Sequence, residues 1–390
     1  MFRKMPFILL AIILAIIFLD PWIPLILKQI LYSISLSIKS IIIMLLPFII
    51  FGLLFKAVIM LSNKATKIIG LILVLVCCSN FISTFLSHYV GIYVYNFDLS
   101  MVMPEETSGL SPLWFLELPK LIANDVAMFG GIILAVIASK FFKTKAVKIS
   151  NSLEYGIGMV LKFLVFMIPL FVAGFIIKLQ YDSVIMTIVK DYALIFVLIA
   201  LAQFSYISML YLLLNNMKIR NYISNIKNMI PAAIVGFSTM SSAASMPLTI
   251  IGAEKNAENK DLVRSVIPAT VSIHLIGDCF AIPIFAYAVL KSFGMGEPSL
   301  LNYMIFALYF VLAKFSVAAV PGGGILVMLP ILEQYLGFNS DMMSLITALY
   351  ILFDPVITCA NVLGNGAFAK MIDRFVMFID KKMARLKKKL

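Results

Sequence analysis

Charge is what this sequence has least of. Only 13% of its 390 residues are Asp, Glu, Lys or Arg, against 62% hydrophobic, which excludes a soluble globular domain of this length. Histidine is scarce, with only His88 and His274, and the four cysteines, Cys77, Cys78, Cys279 and Cys359, all fall in apolar stretches. Neither set has the spacing of a zinc site or a disulfide framework, so no cofactor is expected. Acidic residues number 19 against 31 basic ones. In a soluble protein the resulting +12 would suggest nucleic acid, but here the basic residues alternate with apolar runs as the positive-inside rule describes, and nucleic acid is not an expected partner.

What is abundant is apolar sequence in runs near the ~20 residues that a membrane-spanning helix needs. Helices are expected at about 5–29, 31–61, 68–96, 119–142, 150–179 and 187–215. The first follows Arg3 and Lys4 in the manner of a signal peptide, but no small-residue cleavage site follows it, so it reads as a retained helix. Lys64 and Lys67, then Lys140, Lys143, Lys145 and Lys148, then Lys218, Arg220 and Lys227 cluster on one side, and Asp98, Glu105, Glu106 and Glu117 on the other. That places both termini in the cytoplasm of a multi-pass protein of the inner or plasma membrane.

Counting sides then produces a conflict. Residues 222–250 lie between two basic loops, the second carrying Lys255, Lys260 and Arg264, so a simple span there would break the charge rule. A re-entrant hairpin removes the violation. Its middle, "STMSSAASMP", is poor lipid-facing helix but suits a backbone turn buried in protein. A second apolar segment, 301–335, breaks at "AAVPGGG" (318–324), where Pro321 and three glycines interrupt helical hydrogen bonding. With crossings at 264–292 and 340–372, the expected fold is an all-α polytopic membrane protein of eight transmembrane helices and two re-entrant helical hairpins. Broken segments in corresponding positions are the mark of an inverted-repeat secondary transporter with its site near the bilayer midplane.

The polar residues point the same way. In "FDPVITCANVLGNG" (353–366), Asp354, Thr358, Asn361 and Asn365 are spaced four, three and four, so they share one helical face. A carboxylate at membrane depth costs about 2.5–3.5 kcal/mol, so this face meets protein, water or substrate rather than lipid; holding neighbouring helices together is the plainer role. In "SIHLIGDCFAIP", His274 and Asp278 are one turn apart and can share a proton or ion-pair, with Gly277 a place for the helix to unwind; a satisfied buried pair is the alternative. Ser241 and Ser242 at the first tip can hold a substrate carboxylate with backbone N–H groups. "SNFISTFLSHY" carries Asn80, Ser83, Thr84 and His88, which also fit plain interhelical packing.

"FSTMSSAASMP", "VPGGG" and "FDPVITCANVLGNG" together resemble the two hairpin tips and last helix of the dicarboxylate/amino acid:cation symporters, the glutamate transporter type, over roughly 220–372. The resemblance implies an elevator-type fold, a homotrimer in lipid, and a substrate held between Ser241 and Ser242 on one tip, Val320, Pro321 and Gly322 on the other, and Asp354, Ile357, Thr358 and Asn361 on the last helix. Asp354 matches the carboxylate that receives a substrate amino group, Thr358 a substrate-side hydroxyl, and Asn361 the carboxamide for the substrate carboxylate or main chain. The implied domains are scaffold helices in 1–67 and 98–182, transport-domain elements in 68–97 and 183–375, and a basic cytoplasmic tail, 376–390.

The departures from the family pattern concern specificity and coupling. Ile357 stands where acidic-substrate members have arginine, Met240 replaces the arginine of the first hairpin, and Ala243 interrupts the serine triplet. A small amino acid with a neutral side chain is therefore expected. The seventh-helix sodium motif becomes His274, Leu275, Ile276, Gly277, Asp278, and Asn365 replaces a second sodium carboxylate. Asn80, Ser83, Thr84, His274, Gly277, Asp278, Asn361 and Asn365 remain candidates for cation or proton coupling. Sodium is the one metal in question, and the choice between Na+ and H+ stays open. The competing readings are a dicarboxylate symporter, an ion- or anion-conducting pore, a non-transporting family member, and an intramembrane enzyme built on Ser241, His274 and Asp278. An enzyme is not expected.

Overall fold

A computed structural model describes residues 5–63, 67–97, 109–119, 121–182, 185–317 and 322–387. The described residues form thirteen α-helices and one 3-10 turn, with no strand among them. The first helix, α1 (Met5–Leu19), ends earlier than its hydropathy suggests. Asp20–Trp22 forms the 3-10 turn and α2 starts at Leu25, because Pro21 and Pro24 each remove a backbone donor. The expected break near residue 30 is absent: α2 runs unbroken over Leu25–Asn63, and Asp20 pairs with Lys28 at its start, 2.7 Å apart.

Next come α3 (Lys67–Tyr95), α4 (Asn124–Phe141), α5 (Lys143–Tyr181) and α6 (Ile185–Leu214). Before α4, residues 109–119 run as an irregular strap, so their N–H groups need partners from elsewhere. Hydroxyls along α2 supply them: Leu113 N donates to Ser33 Oγ at 2.8 Å, Leu118 N to Ser40 Oγ at 2.9 Å, and the Trp114 indole to Ser37 Oγ at 3.1 Å. The acidic residues expected in this loop at Asp98, Glu105 and Glu106 lie outside the described residues; Glu117 lies within them.

The remaining chain consists of shorter, broken helices around a long one. A pair, α7 (Ile219–Thr239) and α8 (Ser242–Asn256), turns at Met240 and Ser241. The segment expected to cross at 264–292 is two helices, α9 (Lys260–Thr270) and α10 (Ile276–Ser292), separated by an unwound stretch at 271–275. A second pair, α11 (Leu300–Lys314) and α12 (Gly323–Leu336), flanks the glycine-rich break, and α13 (Ser340–Lys387) follows. Among the described residues, five stretches are long and apolar enough to cross a membrane: Leu25–Lys56, Leu71–Tyr95, Lys143–Tyr181, Tyr192–Leu214 and Asp341–Ile379.

Every residue of α10 from Ile276 to Leu290 is buried, as a helix that is apolar all round must be. It is enclosed by α3, α6 and α13, and α13 also packs on α7, α8 and α9. At the far end of α13, Asp373 accepts from the Glu258 and Asn259 N–H groups at 2.9 and 3.0 Å. That carboxylate ties the α8–α9 turn to α13, while Asn259 itself caps α9 by accepting from Leu262 N.

Candidate functional site

The polar face of α13 lies against breaks in several of the surrounding helices. Asp354 is 3% exposed; its Oδ2 accepts from Gly322 N at 2.9 Å and its Oδ1 from the Thr358 hydroxyl at 2.9 Å. Gly322 is the N-cap of α12 and sits at φ 70°, a left-handed conformation that glycine adopts without steric cost. The carboxylate thus faces the positive end of α12. Val320 and Pro321, the other expected members of this tip, lie outside the described residues.

One turn further, Asn361 Oδ1 accepts from Gly277 N at 2.8 Å. A Cβ on Gly277 would lie 2.3 Å from the Ile357 carbonyl oxygen, so only glycine allows α10 to approach α13 this closely. Gly277 is helical, and the unwinding expected there falls just before it. Another turn along, Asn365 Oδ1 accepts from the Thr270 hydroxyl at 2.7 Å, at the end of α9, while its Nδ2 is buried with no hydrogen-bond partner. Asn361 and Asn365 therefore bracket the 271–275 break from α13.

The same break is held from the other side by α3. Asn80 donates to the Ile273 carbonyl at 2.7 Å and accepts from Leu275 N at 3.3 Å. Its carboxamide bridges the Ile273 carbonyl and the Leu275 N–H, in the stretch just before α10. Ser83 instead bonds the Ser79 carbonyl of its own helix, and the Thr84 carbonyl accepts from the Tyr303 hydroxyl at 2.6 Å. His88 packs with Tyr287, its Nδ1 2.6 Å from the phenol oxygen.

His274 and Asp278 do not form the expected pair. The spacing of four brings residues together only on a continuous helix, and the chain is unwound up to Leu275. His274 Nε2 meets Ser79 Oγ at 2.9 Å, and its ring lies 4.2 Å from that of Phe368. Asp278 instead accepts from the Tyr350 hydroxyl at 2.6 Å and faces Lys314 Nζ at 3.2 Å. Sequence reasoning missed both partners. Tyr350 lies four residues before Asp354 and extends the same stripe, and Lys314 is a lone charge in the run "LLNYMIFALYFVLAKF".

The first tip approaches the same stripe. A Cβ on Gly236 would lie 2.9 Å from Val362 and 3.5 Å from Thr358, and Met240, one turn on, closes α7 by donating its N–H to the Gly236 carbonyl. Ser241 caps α8, its Oγ accepting from Ala244 N at 3.2 Å, and Ser242 is buried. Met240 holds φ 49°, a conformation that is costly for a non-glycine residue. Ile357, the expected specificity position, is fully buried.

Helix ends gathered on a polar face inside an otherwise apolar helical bundle characterise a membrane transport protein, since irregular backbone at membrane depth needs protein partners. The model of the sodium:dicarboxylate symporter family matches residues 125–375, and the chain belongs to that family. It is similar to an excitatory amino acid transporter of Onchocerca volvulus, 29% identical over 147 residues, 37% of this chain and 30% of the relative. Excitatory amino acid transporter 1 of Rattus norvegicus is 26% identical over 151 residues, 38% of this chain and 27% of the relative. A Caenorhabditis elegans protein named as a candidate sodium-dependent excitatory amino acid transporter is 27% identical over 156 residues, 40% of this chain and 31% of the relative. The matched part thus spans under a third of each relative's length. These are transporters rather than enzymes.

Proposed function

We propose that this chain is a cation-coupled secondary transporter for a small amino acid, working by alternating access. The observation that carries this reading is the Asp354 carboxylate, buried between Thr358 and the N-cap of α12. A substrate ammonium group competes with the Gly322 N–H for Asp354 Oδ2, so ligand binding and the position of the α11–α12 tip are coupled. Asn361 and the Ser241–Ser242 turn flank the same face of α13 and are suited to the substrate main-chain carboxylate. Ile357, buried and apolar one turn after Asp354, favours a neutral side chain, and Lys314 close by is already matched to Asp278. The relatives' names speak of excitatory amino acids, so this is a stated difference in specificity.

In this reading the chain crosses the inner or plasma membrane eight times with both termini in the cytoplasm, and α7–α8 and α11–α12 are the two re-entrant hairpins. Residues 68–97 and 183–375 move as a transport unit against scaffold helices in 1–67 and 98–182 of a homotrimer. The coupling ion is Na+ or H+. The family description favours one other reading, transport of an amine-free dicarboxylate. Uptake into liposomes of labelled neutral amino acids, acidic amino acids and dicarboxylates, under separate sodium and proton gradients, tests all of this. Neutral amino-acid uptake driven by one of the gradients is expected. Absence of uptake and of binding for every substrate would overturn the transporter reading.

A further inference from the structure

Lys314 is the last residue of α11 and has no exposed surface. Its Nζ lies 3.2 Å from Asp278 Oδ2 and 4.6 Å from the centre of the Phe310 ring, and makes no well-aligned hydrogen bond. It is held as a point charge, by a carboxylate on one side and an aromatic face on the other. Asp278, 1% exposed, gives its other oxygen to Tyr350. Lys314 ends one helix and Asp278 begins another, so each charge sits at the helix end whose dipole favours it. Gly324, in the first turn of α12, closes over the pair: a Cβ there would lie 2.8 and 3.0 Å from the two Asp278 oxygens. Asp354 is bonded separately to Gly322 and Thr358, so the charge of Lys314 answers that of Asp278.

A buried carboxylate requires a positive charge or a proton beside it. We propose that the Lys314 ammonium is the resident cation of the Asp278 site, covalently fixed in the core in the place that a mobile sodium ion would otherwise take. Asp278 then stays neutralised without drawing a cation from solution, and this position contributes no mobile ion to coupling. That consequence rests on the transporter reading; the occupancy of the site does not.

The experiment reads cation binding alone. Wild-type protein, Lys314→Ala and Lys314→Ala/Asp278→Asn are prepared in sodium chloride and in choline chloride of equal ionic strength, and their melting temperatures are compared without substrate. Lys314→Ala vacates room beside a bare carboxylate, which hard cations favour as a ligand. It is expected to gain a saturable, sodium-dependent rise in melting temperature beyond any the wild type shows. The double variant is expected to lose that gain. A folded Lys314→Ala without the added sodium dependence, or a gain that survives Asp278→Asn, would overturn the proposal. So would recovery of Lys314→Ala in neither salt, whether or not the double variant folds, because sodium would then fail to replace the ammonium. Uptake is not measured, so failure of the transporter reading would leave the outcome intact.

Discussion

Asp354→Asn separates the structural role of the carboxylate from the substrate-binding role proposed for it. In the fold, Asp354 accepts two hydrogen bonds, from Gly322 N and from Thr358 Oγ1, both at 2.9 Å. An asparagine can keep both: its Oδ1 faces the Gly322 N–H, which cannot reverse, and its Nδ2 donates to the Thr358 hydroxyl, which can. What is lost is charge assistance at the α12 N-cap, the difference between about 1.5–3 kcal/mol for a charged acceptor and about 0.5–1.5 for a neutral one. Relief of a buried charge offsets part of that, so folding stability should fall by no more than about 1–2 kcal/mol. Substrate recognition has no such compensation. An ammonium group brought against Asn loses its anion and finds only a neutral amide oxygen, at a cost of about 2–5 kcal/mol, or a weakening of roughly 30-fold to several thousandfold at 1.4 kcal/mol per tenfold. Titration of the purified variant with the best amino-acid ligand of the wild type, beside a thermal melt, measures both effects. Amino-acid affinity within about threefold of wild type would refute the assignment of Asp354 to the substrate amine. A dicarboxylate without an amine should be affected little, which distinguishes the second substrate reading.

Three further changes test the rest of the site. Asn80→Ala removes both hydrogen bonds that bridge 271–275 and should cost about 2–4 kcal/mol, read as a lowered melting temperature and faster hydrogen exchange across 271–276; unchanged exchange there would remove the bridging role. Gly324→Ala would place a Cβ 2.4 Å from the Tyr350 hydroxyl oxygen and should destabilise by about 1–3 kcal/mol through forced displacement of the tip, visible as a lowered melting temperature. Ile357→Arg should shift preference in a competition-uptake assay from neutral toward acidic amino acids by about tenfold or more, the order of a charge-assisted bidentate contact; an unchanged preference order would show that position 357 does not face the substrate side chain.

The parts of this protein that were legible in its sequence are those set by local chemistry. The four-three-four spacing on α13 requires one face, and the structure shows that face meeting protein. The glycine run and Ser241 beside a small-residue run mark helix ends, because Gly322 takes a left-handed conformation without steric cost and serine is well suited to start a helix; proline alone is no such mark, since Pro283 and Pro355 lie inside helices. Pro21 and Pro24 together do mark the end of α1, and hydropathy alone concealed it. The misplaced feature is the break before α10. Nothing in "VSIHL" disfavours helix strongly; the segment unwinds where Asn80, Asn361 and Asn365, all distant in sequence, offer partners to its flanking groups. Gly277 drew attention as a flexible point, yet its need is for close approach to Ile357. The expected His274–Asp278 pair failed for the same reason, since its spacing presupposed a helix that tertiary contacts had undone.

The polar stripe proposed as a binding site also holds the helix ends around it, and the two roles are compatible. Three of its groups bond helix ends: Asp354 the start of α12, Asn361 the first turn of α10, Asn365 the end of α9. A hydrogen bond to a helix end can be exchanged for one to a ligand without unfolding the helix, because the helix interior satisfies itself and only its terminal groups need partners. A bond in the middle of a packed interface offers no such exchange. Polar residues that face breaks in neighbouring helices would therefore let the tips move and a ligand enter, as the proposed alternating access requires, at little cost to the bundle. The contrast between Asp354 and Asp278 follows from the same logic. Asp354 faces an N–H group that can be displaced, which suits a ligand that comes and goes, whereas Asp278 faces a charge on the chain itself, which suits a site that stays filled.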